Sequence, residues 1–546
     1  MERIRSLMEG WINMSKNVQT FLQTFNDQMQ LLMRDVTVAS WMAQTSGDAE
    51  WADKLSDAET KLNLLFSQKD IFEEAKHYLE NEDLTEIERR QLLLFINEMK
   101  ENLLPEEVLA DLSKRSSDLN LLFNTFTPEV DGKTYSANEI RDVLINSNDE
   151  ALRKKIWYAS KEVGKVVEKD LLDLVKKRNE AAQLLGYENH YQMSFTLQEL
   201  DQQEVFSVFE DLIQQSDNAY RTMKKELDER LAMKFGIEPA DIRPWHYVDP
   251  FFQEAPPSDK TNLDPFYSGK DILQITTDTF QAMGIEVSDL YEKSDLYPRE
   301  KKNPTAFCLD MDRTGDVRVL CNLEEDSYWM ETNLHEFGHA AYFKYVDSEL
   351  PFILRTCSHT LTTEAIAMMF GKMGKDPKWL SQFLNVDEEM LQELTPELAK
   401  FQQLSMLIAA RWIITFVFFE KELYENPEQD LNSLWWKIVS EVQLVTPPET
   451  TDQPDWAAKI HFTLAPVYYQ NYLLGELMAA QLLRYIESSI SPEIFTKGTG
   501  DMLVNQYFKP GARYNWNEKI RRITGEKLNP AHFCELYCQT DLKVHQ

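Results

Sequence analysis

Apolar residues recur at helical spacing through almost all of the first 125 residues. Ile12, Val18, Phe21, Leu22 and Phe25 share one stripe, and a similar pattern returns at Leu92, Leu93, Leu94 and Ile96. Acidic and basic residues fill the opposite faces, so these stripes predict core contacts and no chemistry. No fixed period repeats, which disfavours a solenoid. Asp131-Gly132, between residues 126–130 and 133–135, predicts a short hairpin. Helical patterning resumes from Asn138 to about Phe235. Pro239, Pro244, Pro250, Pro256, Pro257 and Pro265 then interrupt an aromatic-rich stretch holding Trp245, His246, Tyr247, Phe251 and Phe252. That stretch predicts a long irregular connection of the kind that lines functional sites.

Residues 305–309 and 317–321, joined across Gly315, predict two short strands. A helix is expected from about Ser327 to Val346. A second begins near Thr362, beyond Pro351. The most apolar run, 406–419, is interrupted by Arg411 and is too short to cross a bilayer, so it predicts a buried helix.

The first of the two paired helices contains His335-Glu336-Phe337-Gly338-His339. At 100° per residue the two imidazoles lie about 40° apart on one face. From there they can grip a single zinc ion from the same side. Glu336 points off that face, suited to act on a metal-bound water rather than to ligate. Glu364, 25 residues after His339, opens the apolar stretch Ala365-Ile366-Ala367-Met368-Met369-Phe370 in the first turn of its predicted helix. A carboxylate there carries a desolvation cost unless it is paired or metal-bound. Alone it would read as a helix-dipole residue; with H-E-x-x-H upstream it becomes the third ligand. A third cluster, Lys459-Ile460-His461-Phe462 followed by Tyr468-Tyr469-Gln470-Asn471-Tyr472, fits either an aromatic core or donors aimed at a reacting carbonyl, and spacing leaves both open.

Composition narrows the partners. The chain has 546 residues, 91 acidic and 57 basic, for a net charge of −34. Such a surface repels phosphate backbones and anionic lipid, so neither nucleic acid nor membrane is expected as a partner. Met1-Glu2-Arg3-Ile4-Arg5 leads into an amphipathic pattern without a signal peptide. Five scattered cysteines, an odd number, point to reduced thiols and a cytoplasmic setting. Cys534 and Cys538 share a helix face with no histidine beside them and read as packing residues.

With these residues in hand, the chain resembles the gluzincin peptidases, and within them the angiotensin-converting-enzyme-like peptidyl dipeptidases. The resemblance rests on His335-Glu336-Phe337-Gly338-His339 with Glu364. It extends in order through Ala39-Ser40-Trp41, Arg178-Asn179-Glu180-Ala181-Ala182 with Gly186-Tyr187, Asp316-Val317-Arg318, Lys459-x-His461, the stretch 511–516, and Thr524-Gly525-Glu526-x-Leu528. Ala306-Phe307-Cys308 and the segment from His461-Phe462 to Tyr472 are also similar to thimet-type and F-type oligopeptidases. The resemblance implies a mainly α fold: a large helical ellipsoid with a deep central channel and a few short strands beside the zinc helix. It implies one catalytic domain over 1–546, with residues 1–125 as a helical lid region and 126–546 carrying the channel and zinc site.

It further implies that His335, His339 and Glu364 hold one zinc ion and that Glu336 is the general base. His461 and Tyr472 would stabilise the oxyanion. Lys459 and Tyr469 would hold a substrate's C-terminal carboxylate, with Ala306 and Phe307 lying along the peptide. Placing the tyrosines requires one inserted residue after His461, so Tyr468 competes with Tyr469 and Tyr472. Three departures stand out. The family's chloride-binding Arg falls at Asn471, which argues against chloride activation. Its histidine-orienting Asp falls at Met368. The Gln of its carboxylate pocket is missing from Trp245 to Phe252, where Tyr247 and Asp249 stand instead. The expected activity is zinc-dependent hydrolysis of short peptides with release of C-terminal dipeptides. Internal cleavage of oligopeptides and non-catalytic peptide binding are the competing readings.

Overall fold

The computed structural model describes residues 17–539, so Ile12 and the first five residues lie outside it. The described chain is mainly helical. Its strands form two antiparallel pairs: β1 (Glu129–Val130) with β2 (Lys133–Thr134), and β3 (Phe307–Asp310) with β4 (Val317–Leu320). Two compact units are each assembled from separate segments. The first takes the described part of Met1–Leu103 with Leu263–Val386 and Met478–Leu528. The second takes Leu104–Asn262, Asp387–Leu477 and the described residues from Asn529 onward.

In the first unit, helices Val18–Ser46, Ala49–Phe66, Lys69–Asn81 and Glu86–Lys100 bury most of the predicted stripes; Leu92 is buried and Leu94 and Ile96 partly so, but Leu93, expected in the core, is 37% exposed. Phe21, Phe25, Phe72, Phe95 and Met99 meet in one cluster, with the Phe25 and Phe95 rings 4.2 Å apart. A reciprocal capping box between Thr85 and Glu88 fixes the start of the last of these helices. β3 and β4 pair Phe307 with Leu320 and Asp310 with Val317. Trp41, from the first helix, packs edge-on against Phe307 at 6.2 Å and lies under the Arg318 guanidinium. Two motifs distant in sequence, Ala39-Ser40-Trp41 and Asp316-Val317-Arg318, therefore meet at the hairpin.

The helix Ser327–Lys344 starts at Asp326, whose carboxylate accepts the Trp329 N–H. The partner helix, Thr360–Met373, begins two residues earlier than Thr362, with His359 as its N-cap. Glu364 therefore stands one residue beyond the first turn rather than within it. These two helices pack closely because small residues face each other. A Cβ on Gly338 would lie 3.0 Å from the Ala367 Cα, and one on Gly371 would lie 3.3 Å from the His335 Cβ.

In the second unit, Asp131 and Gly132 take the left-handed backbone that the β1–β2 turn requires. Long helices Glu150–Leu184 and Gln202–Phe235 follow, and the proline-rich stretch after them is an irregular connection broken by short 3-10 turns. The apolar run belongs to a 38-residue helix, Glu388–Glu425. By length and composition this helix is capable of crossing a membrane, but 67% of its most apolar window is buried inside the protein. Arg411 within it donates to the Ile213 carbonyl and the Ser216 hydroxyl.

The Gly338 contact yields a stability test. Gly338→Ala pushes a methyl group against main chain that has no rotamer to yield, and should cost about 1–3 kcal/mol. The expected reading is a lower denaturation midpoint with an unchanged slope.

Candidate active site

The packing of Ser327–Lys344 on Thr360–Met373 brings three side chains together. Among the described residues, His335, His339 and Glu364 form the one group of three histidine, cysteine or acidic side chains whose ligand atoms all lie within 4.8 Å of one another. The Nε2 atoms of His335 and His339 stand 3.8 and 3.9 Å from Glu364 Oε2. Bonds of about 2.1 Å to a tetrahedral zinc separate ligand atoms by about 3.4 Å, so the cluster fits such an ion with a few tenths of an ångström of closure. Two imidazoles and one carboxylate also leave a fourth position for water or substrate.

The ring orientations are set from behind. His339 Nδ1 lies 2.7 Å from the Thr363 hydroxyl. His335 hydrogen-bonds the Ala367 carbonyl. With Met368 at the place of the family's orienting Asp, the two rings meet a hydroxyl and a backbone oxygen on the same helix instead. Further back, the buried Lys519 ammonium donates to the Tyr342 hydroxyl and the Tyr507 carbonyl, and the Tyr507 hydroxyl donates to the Thr362 carbonyl. One buried network thereby holds both ligand-bearing helices.

Burial pushes His335 down to about 4, partly offset by the Ala367 carbonyl. Burial, assisted by His335, pushes His339 down to about 3. Both imidazoles are therefore neutral near pH 7, the state a metal requires. Glu336 is buried, and desolvation together with the Glu364 carboxylate raises it to about 8. The charge of a bound cation acts in the opposite sense. Cys308 and Cys321 stand beside Glu336; burial and that carboxylate push both up, so they remain neutral thiols. Phe307 lies on β3, with Ala306 just before it. β3 pairs on one edge with β4, and β4 also takes an isolated bridge from Asp295, leaving β3 as the edge strand. An edge strand is the arrangement to which an extended peptide adds.

Lys459, His461, Tyr469 and Tyr472 belong to the second unit, where they gather around an aromatic wall. Lys459 Nζ donates to Gln253 Oε1 at 2.8 Å. It also lies 5.1 Å from the Trp412 ring centroid and 5.8 Å from that of Tyr469. The glutamine beside Lys459 is thus Gln253, one residue past the stretch Trp245 to Phe252. Tyr247 is engaged instead with Lys224 and Asp228, and Asp249 with backbone amides. The Tyr469 hydroxyl accepts from Trp412 Nε1 at 3.0 Å, and its ring lies 5.1 Å from His461 and 5.4 Å from Tyr472. Tyr468 contacts Tyr472 at 5.5 Å. Tyr469 is thus the tyrosine beside both Lys459 and His461. Burial, with Lys459 nearby, lowers His461 to about 4, so it is neutral, and its Nδ1 is buried without a hydrogen-bond partner. Asn471 donates to Gln198 Oε1, placing a neutral amide where the family has a cation.

A family model described as Peptidase family M3 matches residues 143–537. The chain belongs to peptidase family M3. Like other members it is a metallopeptidase by descent, and a second family model, described as Angiotensin-converting enzyme, matches residues 12–244. Its similarity to curated relatives is distant. The angiotensin-converting enzyme of Theromyzon tessulatum is 21% identical, over 96% of this chain and 91% of that protein. An inactive angiotensin-converting enzyme-related protein of Caenorhabditis elegans is 25% identical, over 42% of this chain and 27% of that one. An angiotensin-converting enzyme-related protein of Drosophila melanogaster is 22% identical, over 42% of this chain and 40% of its own length.

Thr363 and Gln253 escaped sequence reading. A threonine beside a ligand carries no distinguishing signal. The glutamine sits in an irregular loop, where no periodicity fixes alignment. Thr363→Val keeps the shape and removes the oxygen that orients His339. Metal affinity should fall about 10–100-fold, measured by competition with a chromophoric chelator.

Proposed function

We propose that this M3-family protein is a zinc-dependent peptidase that releases dipeptides from the free C-termini of short peptides. The observation that carries the catalytic part is the His335–His339–Glu364 cluster with Glu336 on the same helix. When bound, zinc supplies a Lewis acid and a water of lowered pKa. Glu336 takes the proton of the attacking water and passes it to the leaving amine. Neutral His461 and the Tyr472 hydroxyl donate hydrogen bonds to the charge developing on the carbonyl oxygen. Ala306 and Phe307 hold the peptide along β3. Short peptides are the partners, and a surface of this charge keeps the enzyme away from nucleic acid and anionic membranes. Five cysteines without a disulfide favour a cytoplasmic location.

Dipeptide release is supported by the pair Lys459 and Gln253. With Oε1 accepting from Lys459, the Gln253 amide nitrogen is left to donate, and the Tyr469 hydroxyl adds a second donor beside the ammonium. An ammonium, an amide and a phenol together recognise a carboxylate. Internal cleavage is the second reading, favoured by the similarity of Ala306-Phe307-Cys308 to oligopeptidases. Non-catalytic binding is disfavoured by the intact Glu336, since a binder needs no base.

Glu336→Gln should retain zinc and lower kcat by about 10³ or more, checked by metal analysis and a fluorogenic peptide. Unimpaired hydrolysis by that variant excludes the mechanism. The anchoring mode has its own signature. Burial pulls Lys459 down to about 8, with Asp249 and Glu254 opposing. The ammonium is charged below that value and neutral above it, so carboxylate anchoring is present at neutral pH and lost as pH rises. KM for a free ten-residue peptide should therefore climb between about pH 7 and pH 9. The amidated peptide should show no such rise, and product masses should show dipeptides only from the free form. Equal cleavage of both forms would rule out the anchored mode.

A further inference from the structure

Gln253 is delivered to Lys459 by a turn that its own sequence does not favour. Phe252, immediately before it, has φ of 53°, a left-handed conformation in which a bulky residue is rare. Other side chains must hold such a turn. Asp249, 3% exposed, accepts the backbone N–H groups of Phe251 at 2.8 Å and Glu254 at 3.0 Å. It also accepts that of Gln253, at 3.0 and 3.2 Å to its two oxygens. From another element, Gln443 Nε2 donates to the carbonyls of Phe251 and Phe252 at 3.1 and 2.8 Å. Trp157 Nε1 donates to the Pro250 carbonyl at 3.0 Å. The Lys161 ammonium sits 3.2 Å from the Phe251 ring centroid. A buried carboxylate that spends both oxygens on three consecutive-region amides is there to fix the main chain.

We infer that Asp249 is the positioning residue of the carboxylate pocket: its cage of backbone amides sets the turn that aims Gln253 at Lys459, and so determines the preference for a free C-terminus. The inference rests on the anchored reading of Lys459 and Gln253 given above. Asp249 touches no substrate in this scheme. It acts through Gln253 and, by its charge, on Lys459, so its loss should weaken ground-state recognition of the carboxylate and spare the chemical step.

The test measures KM and kcat of Asp249→Asn, Asp249→Ala and Lys459→Met on one ten-residue peptide, free and amidated. In Asp249→Asn the amide NH₂ confronts backbone donors; in Asp249→Ala the cage is gone. Both should raise KM for the free peptide about tenfold, change kcat less than about threefold, and leave the amidated peptide as in the wild type. Gln443→Leu, which releases the same turn from its carbonyl side, should shift the free-to-amidated ratio in the same direction; it carries the test if the Asp249 variants do not fold by circular dichroism. A ratio untouched by Lys459→Met would remove the anchored reading itself. A ratio that collapses in Lys459→Met but stays at the wild-type value in the turn variants would overturn the role of Asp249 alone, as would equal loss on both peptides.

Discussion

The candidate metal centre depends on how closely two helices can approach. His335 and His339 are placed by one helix, but Glu364 reaches them only because Gly338 faces Ala367 and Gly371 faces His335. With larger residues at these positions the axes would move apart and Glu364 would be drawn away from the imidazoles. Ridge-and-groove packing of this kind is short-ranged and steep, so it sets ligand positions to a few tenths of an ångström. The Lys519–Tyr342–Tyr507–Thr362 network reinforces the same arrangement from the buried side. A buried amine is costly unless hydrogen-bonded: burial pulls Lys519 down to about 7, and the Tyr342 hydroxyl and the Tyr507 carbonyl accept two of its hydrogen bonds.

Electrostatics in each unit follow from burial. In the first, neutral imidazoles and a raised Glu336 form a set that favours a cation. In the second, Lys459 keeps an ammonium in an aromatic, poorly hydrated setting, where its affinity for a carboxylate is greater than at a surface. Asp249 and Glu254 offset part of the cost of that burial. Asp249 does so without forming a direct ion pair, since its oxygens are engaged by backbone amides. The ammonium therefore stays available to a ligand.

Much of this was legible in the sequence where the signal was periodic or local. The N-terminal stripes through Phe21, Phe25 and Leu92 became core, the Asp131-Gly132 turn became a hairpin, and the strands at 307–310 and 317–320 appeared within two residues of their expected limits. H-E-x-x-H could be read because a helix fixes the relation of residues one turn apart. Less was legible where the main chain is irregular. The Glu364 helix begins at Thr360, two residues before its expected start, because a His N-cap is a weak boundary signal. Gln253 was missed because a loop stabilised by a left-handed Phe252 has no repeat to align against.

By itself the sequence determined the helical class, two histidines on one helix face with a carboxylate pointing off it, and kinship with the family, because all of these are carried by near-neighbour spacing and by ordered motifs. Only the tertiary structure decided that Glu364 meets those ligands, that Thr363 and the Ala367 carbonyl orient the rings, and that Gln253 rather than Tyr247 joins Lys459. Such pairings depend on packing distances between segments far apart along the chain, and no local pattern of residues encodes a distance of that kind.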